Sequence, residues 1–367
     1  MTVLLYFTIV YSLILLILFY GVNKSFHNKK INLKINKLSV VIAVKNEESH
    51  IYSLLELLNN QNYPKDSFEV IIADDGSSDK TAEIVKQFII DKENFIYIYV
   101  SQADLPKIKG KKKALTSGIN ISQYPILVFT DADCLPEKNW LKSINQCFSE
   151  EVDFVAGYSP LVFKKKSLLN GLKNLERSSI FAVTAGSFGL NIPLTCTARN
   201  MAYRKRIWDK VDGYSGIHNI LSGDDDLMLL KSRHTVNKYC FCFDQDAIVD
   251  SVEDKDNIQQ INQETRRASK FKYYPLYIKL LTLSIAIYYM YLCIAFCQVL
   301  LSAYSLKHFI VNICVKLFIE ALLIGGFLWK VKRFVLMKYF FLTEILYIPY
   351  FLYFGIKGSL FKYKWKN

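Results

Sequence analysis

Four short apolar runs, each leading into a helical pattern or a polar turn, constrain this chain more than any other feature. They cover 38–44, 68–73, 95–100 and 126–130. Between them apolar residues return at helical spacing, as at Leu54, Leu55, Leu57 and Leu58, and again over 81–90. Strands alternating with helices at this interval predict βαβ units and a mostly parallel sheet. A fifth strand is expected over 152–157 and a further helix over 168–181. Three of the four runs end in acids: Glu47 and Glu48, Asp74 and Asp75, Asp131 and Asp133. Parallel strands bring their carboxyl ends to one edge, where open α/β sheets bind ligands, so a nucleotide site is expected there. Asp131 and Asp133, two residues apart, suit one hard cation. Mg²⁺ or Mn²⁺ held this way takes its other ligands from water and substrate phosphates.

The ends of the chain are of another kind. The 367 residues are 51% hydrophobic with a net charge of +13, and the apolar residues gather at the two termini. Residues 3–20 are long and apolar enough to cross a bilayer. No basic segment precedes them and no small-residue cleavage site comes after, so an uncleaved anchor is expected. Lys24, Lys29, Lys30, Lys34 and Lys37 come next with no acid among them. Such a cluster favours anionic lipid and places the adjoining α/β region in the cytoplasm. No nucleic-acid motif accompanies the positive charge, so nucleic acid is not expected as a partner. The eight cysteines contain no C-x-x-C pair and read as buried reduced thiols.

At the other end, 280–306 carries no charge. Residues 309–329 contain Lys316 and Glu320, four apart on one helix face and able to pair, and 339–356 contain Glu344 and Pro349. Glu320 and Glu344 read as packing residues rather than substrate ligands. Three crossings here would leave Lys357, Lys362, Lys364 and Lys366 outside, against the positive-inside rule. The last, proline-containing segment is therefore expected to re-enter or lie at the interface. The expected organisation is an anchor (1–21), a basic linker (22–37), an α/β domain (38–275), a membrane region (276–356) and a basic tail (357–367).

Four motifs in order carry a resemblance: Ile42-Ala43-Val44-Lys45-Asn46-Glu47-Glu48, Asp74-Asp75-Gly76-Ser77-Ser78-Asp79, Gly110-Lys111-Lys112-Lys113-Ala114-Leu115 and Thr130-Asp131-Ala132-Asp133. Together they resemble glycosyltransferase family 2 over roughly 38–270. The resemblance implies a GT-A fold, Rossmann-like with a mostly parallel sheet, here between N- and C-terminal transmembrane helices. It also implies a nucleotide-sugar donor, a UDP-sugar first among them, and a divalent cation. Asp74 and Asp75 would hold base and ribose, with Glu47 nearby. Asp131 and Asp133 would hold diphosphate and metal, and Lys111 would lie near the nucleotide. Lys112 stands where the family commonly has glycine, which leaves open which lysine acts.

The second half of the resemblance supplies chemistry. The segment 195–204 resembles the stretch under donor and acceptor, where Arg199 and Asn200 either face the acceptor or make structural hydrogen bonds. Asp224, Asp225 and Asp226 repel one another as neighbours; capping of the next helix explains one or two of them. Alignment on the following Asp-Leu-x-Leu makes Asp224 the general base, with Gly223 in place of the usual glutamate. Asp225 is the second candidate, and Asp226 falls in the acceptor region. Gln263 and Arg266 resemble a Q-x-x-R-W motif in which Arg267 replaces the tryptophan; Gln263 is expected near the donor, Arg266 at the leaving group and Arg267 toward the acceptor. The implied activity is inverting transfer to a lipid or lipid-linked glycan at the cytoplasmic membrane face. A processive polysaccharide synthase and a non-catalytic nucleotide-sugar sensor or scaffold are the alternatives.

Overall fold

The computed structural model describes residues 2–27, 31–101, 104–105, 107–108, 110–165, 167–253 and 257–360; Lys29, Lys30 and the tail lysines Lys362, Lys364 and Lys366 lie outside them. In chain order the elements are α1 (Thr2–His27), β1 (Leu38–Val44), α2 (Ile51–Asn59), β2 (Phe68–Asp74), α3 (Thr81–Phe88), β3 (Phe95–Tyr99), α4 (Lys111–Ile121), β4 (Ile126–Phe129) and β5 (Cys134–Pro136). Then come α5 (Trp140–Cys147), β6 (Val152–Gly157), β7 (Leu161–Val162), α6 (Leu168–Gly189), β8 (Met201–Arg204), α7 (Lys205–Lys210), α8 (Asp226–Ser232), β9 (Lys238–Cys242) and β10 (Val249–Val252). The chain ends in α9 (Asn257–Ser269), α10 (Leu276–Leu300), α11 (Leu306–Lys330) and α12 (Phe340–Leu360).

Two compact units divide these elements: one comprises residues 25–165 and 191–253, the other 1–24, 166–190 and 254–367. The division differs from the expected 38–275 domain, because 166–190 and 254–275 group with the apolar helices.

The first unit is the α/β domain. Its seven-stranded sheet runs β3-β2-β1-β4-β8-β6-β9. β1 pairs in parallel with β2 and β4, and β2 with β3, while β8 alone is antiparallel to its neighbours β4 and β6. A smaller sheet, β5-β10-β7, adjoins it. The central strands read as unbroken apolar runs because both faces are covered. Val40, Val41, Ile42, Val70, Ile71, Ile72 and Val128 are fully buried, each burial contributing about 1.5–3 kcal/mol. Parallel pairing then fixes where polar residues emerge: Val44 lies opposite Asp74, and the turns after β1, β2 and β4 share one edge.

The second unit is helical. Four helices among the described residues are long and apolar enough to cross a membrane: 3–27, 276–300, 306–330 and 334–358. Their interior holds a polar seam. Lys316 meets Glu320 at 2.5 Å and also Glu344, the pairing expected from the four-residue spacing plus one further carboxylate. Tyr11 donates to Glu320, and Thr8 donates to Asn312 at 2.7 Å. Charges inside a bundle are stable when paired in this way. All eight cysteines are free, but Cys293, Cys297 and Cys314 are exposed on α10 and α11 rather than buried, since they lie on outward faces of those helices. α1 and α6 cross closely at Gly21 and Gly186, where a side chain on either would overlap the other backbone.

Gly186→Leu is therefore expected to separate α1 from α6 and cost about 1–3 kcal/mol, read as a fall in detergent melting temperature. Gly355→Leu, where an added Cβ meets nothing within 4 Å, serves as the control. Equal melting temperatures for the two variants would sink the close-crossing argument.

Candidate active site

The turns at the sheet edge are laced together before any ligand is considered. Asn46 adopts φ +53° after β1, and its Oδ1 accepts from the Ser78 amide at 2.8 Å. The Glu47 amide donates to Thr81 Oγ1 at 2.8 Å, and the Glu47 carboxylate sits 3.4 Å from His50. Asp74 is fully buried and braces the second turn: one oxygen accepts from the Ser77 amide at 2.7 Å, the other from Tyr97 Oη at 2.9 Å. Burial, and then that hydrogen bond to Asp74, push the Tyr97 phenol up. Asp74 thus shapes the turn, while Asp75 stands between Lys113 at 3.3 Å and Lys45 at 3.9 Å.

α4 starts at this edge with three lysines, each tied to a different segment. Lys111 pairs with Asp131 beyond β4 and, at 3.1 Å, with Asp224 before α8. Lys112 is buried and donates to the carbonyls of Ile217, Ile220 and Ser222. Lys113 adds the Ser101 carbonyl to its contact with Asp75. Burial draws the Lys111 ammonium down, but Asp131 and then Asp224 outweigh it, and its pKa ends above the ordinary lysine value. Arg199 closes the group, its Nε 3.9 Å from Asp131.

The three consecutive aspartates separate by role. Asp225 caps α8, accepting from the Asp226 amide at 2.7 Å, and Asp226 is buried and accepts from the Leu227 amide at 2.8 Å. Asp224 is the one that meets Lys111. Gly223 before it has φ +83°, and a Cβ there would overlap Leu227, so the glutamate usual at this position has no room in this backbone.

Asn200 is wholly buried. Its Oδ1 accepts from Trp140 Nε1 at 3.0 Å, and its Nδ2 donates to the Tyr158 and Ala247 carbonyls. This is the structural hydrogen bonding weighed against an acceptor role, and it leaves the side chain no face for an acceptor. Gln263, Arg266 and Arg267 lie on α9 in the helical unit. There Arg267 pairs with Glu264 at 2.5 Å, and Glu264 also takes Arg177 at 3.2 Å.

Asp131 and Asp133 offer hard carboxylate oxygens just past β4. Among the described residues no group of three His, Cys, Asp or Glu side chains is placed to hold a metal. Such a donor set fits a divalent cation completed by water and phosphate oxygens. Beside it Thr130 Oγ1 is buried without a hydrogen-bond partner.

A mostly parallel sheet whose carboxyl edge gathers paired aspartates and lysines defines a GT-A transferase domain. The glycosyl transferase family 2 model matches residues 39–212. Residues 39–212 thus form a glycosyltransferase family 2 domain. The chain is 28% identical over 216 residues to glycosyltransferase AglE of Haloferax volcanii, covering 58% of this chain and 65% of that protein. It is 33% identical over 110 residues to the dolichyl N-acetyl-alpha-D-glucosaminyl phosphate 3-beta-D-2,3-diacetamido-2,3-dideoxy-beta-D-glucuronosyltransferase of Methanococcus voltae, covering 29% of this chain and 32% of that one. The chain thus spans less than two-thirds of these relatives' lengths. Mannosyltransferase PcManGT from Pyrobaculum calidifontis, solved with GDP-Man and Mn²⁺, shares the fold over 98% of this chain and 97% of its own, with TM-score 0.56 at 14% identity.

Because its pKa is raised, Lys111 stays charged below about pH 10, and the stability it contributes is lost only as pH climbs through the raised value. Lys111→Met, which leaves Asp131 and Asp224 without their shared cation, is expected to lower the melting temperature by a constant margin between about pH 7 and 9.5. A margin that shrinks steadily across that window would contradict the pairing.

Proposed function

We propose that this chain moves a sugar from a nucleotide-sugar donor to a lipid or lipid-linked glycan in one inverting step at the cytoplasmic membrane face. The observation that carries the reading is Lys111, whose single ammonium joins Asp131 to Asp224. Diphosphate chemistry and proton removal are thereby held side by side. An acceptor hydroxyl attacks the anomeric carbon, the bond to the diphosphate breaks, and Asp224 takes the hydroxyl proton. A divalent cation on Asp131 and Asp133 would supply charge neutralisation for the leaving diphosphate. Asp75, between Lys45 and Lys113, serves the nucleoside end. UDP-sugars are the first donors to test, with GDP-sugars beside them.

The acceptor class rests on the apolar helices and on the relative from Methanococcus voltae, whose name specifies a dolichyl phosphate-linked sugar. Single transfer is preferred to processive synthesis because Arg267, where processive members carry a stacking tryptophan, is engaged with Glu264. Lys24, Lys34 and Lys37 support a cytoplasmic domain next to anionic lipid.

Three crossings with a re-entrant α12 satisfy the charges. Lys330, at the end of α11, reaches Asn23 near the lysine-bearing end of α1. Gly358, near the end of α12, packs on Ala268 and Ser269, shortly before α10 starts. Both ends of α12 thus belong to the lysine-bearing side, and so does Lys357.

The test is nucleotide release from UDP-, GDP- and dTDP-sugars by detergent-purified protein, with Mg²⁺ or Mn²⁺ and a lipid extract. Metal-dependent release from one donor is expected, falling about 100-fold or more in Asp131→Asn and Asp224→Asn. Donor binding with no release in the presence of lipid acceptors would favour a sensor instead.

A further inference from the structure

Lys112 has no place in the mechanism above, yet it is the most completely satisfied lysine at the sheet edge. Its side chain is buried, and its Nζ lies 2.9, 2.9 and 2.7 Å from the carbonyl oxygens of Ile217, Ile220 and Ser222. An ammonium has three N–H donors, and each here has its own acceptor. The Tyr214 ring, 5.6 Å away, closes one side of the ammonium, and Tyr214 Oη donates to the Asp224 carbonyl at 3.4 Å. The three carbonyls belong to a segment without helix or strand that runs directly into Gly223 and Asp224.

We propose that Lys112 is a positioning residue for transfer, acting through this segment to set Asp224 against Asp131. Two neighbouring residues on one helical turn hold the base from both ends. Lys111 grips the Asp224 carboxylate, and Lys112 grips the backbone two residues before it. The left-handed backbone at Gly223 is the short joint between the two grips. Because Lys111 also meets Asp131, the first turn of α4 gauges the separation of the two carboxylates. A neutral side chain of the same length would take the ammonium from all three carbonyls, of which that of Ile217 keeps only the Ile220 amide at 3.2 Å, and free the segment to move. Arginine would not substitute, because its planar fork does not match three convergent carbonyls.

The proposal rests on Asp224 being the base, and the experiment separates the two ideas. Hydrogen exchange on the wild-type protein tests the grip alone: amides over 217–222 are expected to exchange as slowly as those of α4, whatever reaction the protein performs. Exchange at the rate of an open loop would overturn the proposal even if Lys112→Met fails to fold. In Lys112→Met that exchange is expected to quicken about tenfold or more. UDP or GDP affinity, read by calorimetry, stays within about threefold. The kcat for transfer falls about 100-fold, as a displaced base requires, with donor KM little changed. Lys112→Arg is expected to restore less than a tenth of the lost kcat. Parallel loss of nucleotide binding and kcat, or full recovery with arginine, would mark Lys112 as a general support of the fold and overturn the positioning role. Normal exchange protection in a wild-type protein without transferase activity would instead count against the proposed reaction and leave the grip standing.

Discussion

The sheet edge depends on one awkward placement: three ammonium groups in the first turn of a helix. That end of a helix already carries partial positive charge, and each added cation there costs about 0.3–1 kcal/mol. Charge-assisted hydrogen bonds of about 1.5–3 kcal/mol offset this, provided that every lysine finds its acceptor. Each does, and in a different part of the chain. Asp131 comes from the turn after β4, Asp224 from the approach to α8, Asp75 from the turn after β2, and the backbone carbonyls from 217–222. One helical turn therefore joins segments more than a hundred residues apart.

Much of this edge was legible in the sequence, for a physical reason. A parallel sheet covered on both faces writes its strands as apolar runs, and the turn after each run must fall on one side. That placed Asp74, Asp75, Asp131 and Asp133 together without any knowledge of side chains. The roles within pairs were not legible, because they depend on distant partners. Nothing local distinguishes Asp74, buried against Tyr97, from Asp75, which faces two lysines. The same holds for Asn200, whose partners Trp140, Tyr158 and Ala247 come from three separate segments. The three lysines did leave a signal, since cations crowd a helix start only when something holds them. Such a signal marks the turn, not that Lys112 reaches 110 residues along the chain.

The boundary between the units was the harder reading. A helix over 168–181 was expected inside the α/β domain; α6 extends to Gly189 and packs through Gly186 on α1. Small residues at that crossing, rather than the amphipathic pattern of α6, decide its companion. α9 behaves similarly, its Glu264 shared between Arg177 of α6 and its own Arg267. Helical periodicity identifies a helix but not the surface it joins.

On the membrane placement proposed above, the polar seam of the helical unit bears on how each helix would enter a bilayer. Lys316 and Glu320 sit one turn apart and neutralise each other within α11, so that helix can be accommodated as a self-contained neutral element as soon as it emerges. Glu344 has no such companion on α12. Its charge is met across the seam by Lys316, so on that placement α12 would settle against a bundle already in place. The order of assembly is thus written in which helix carries its own counter-ion and which must borrow one.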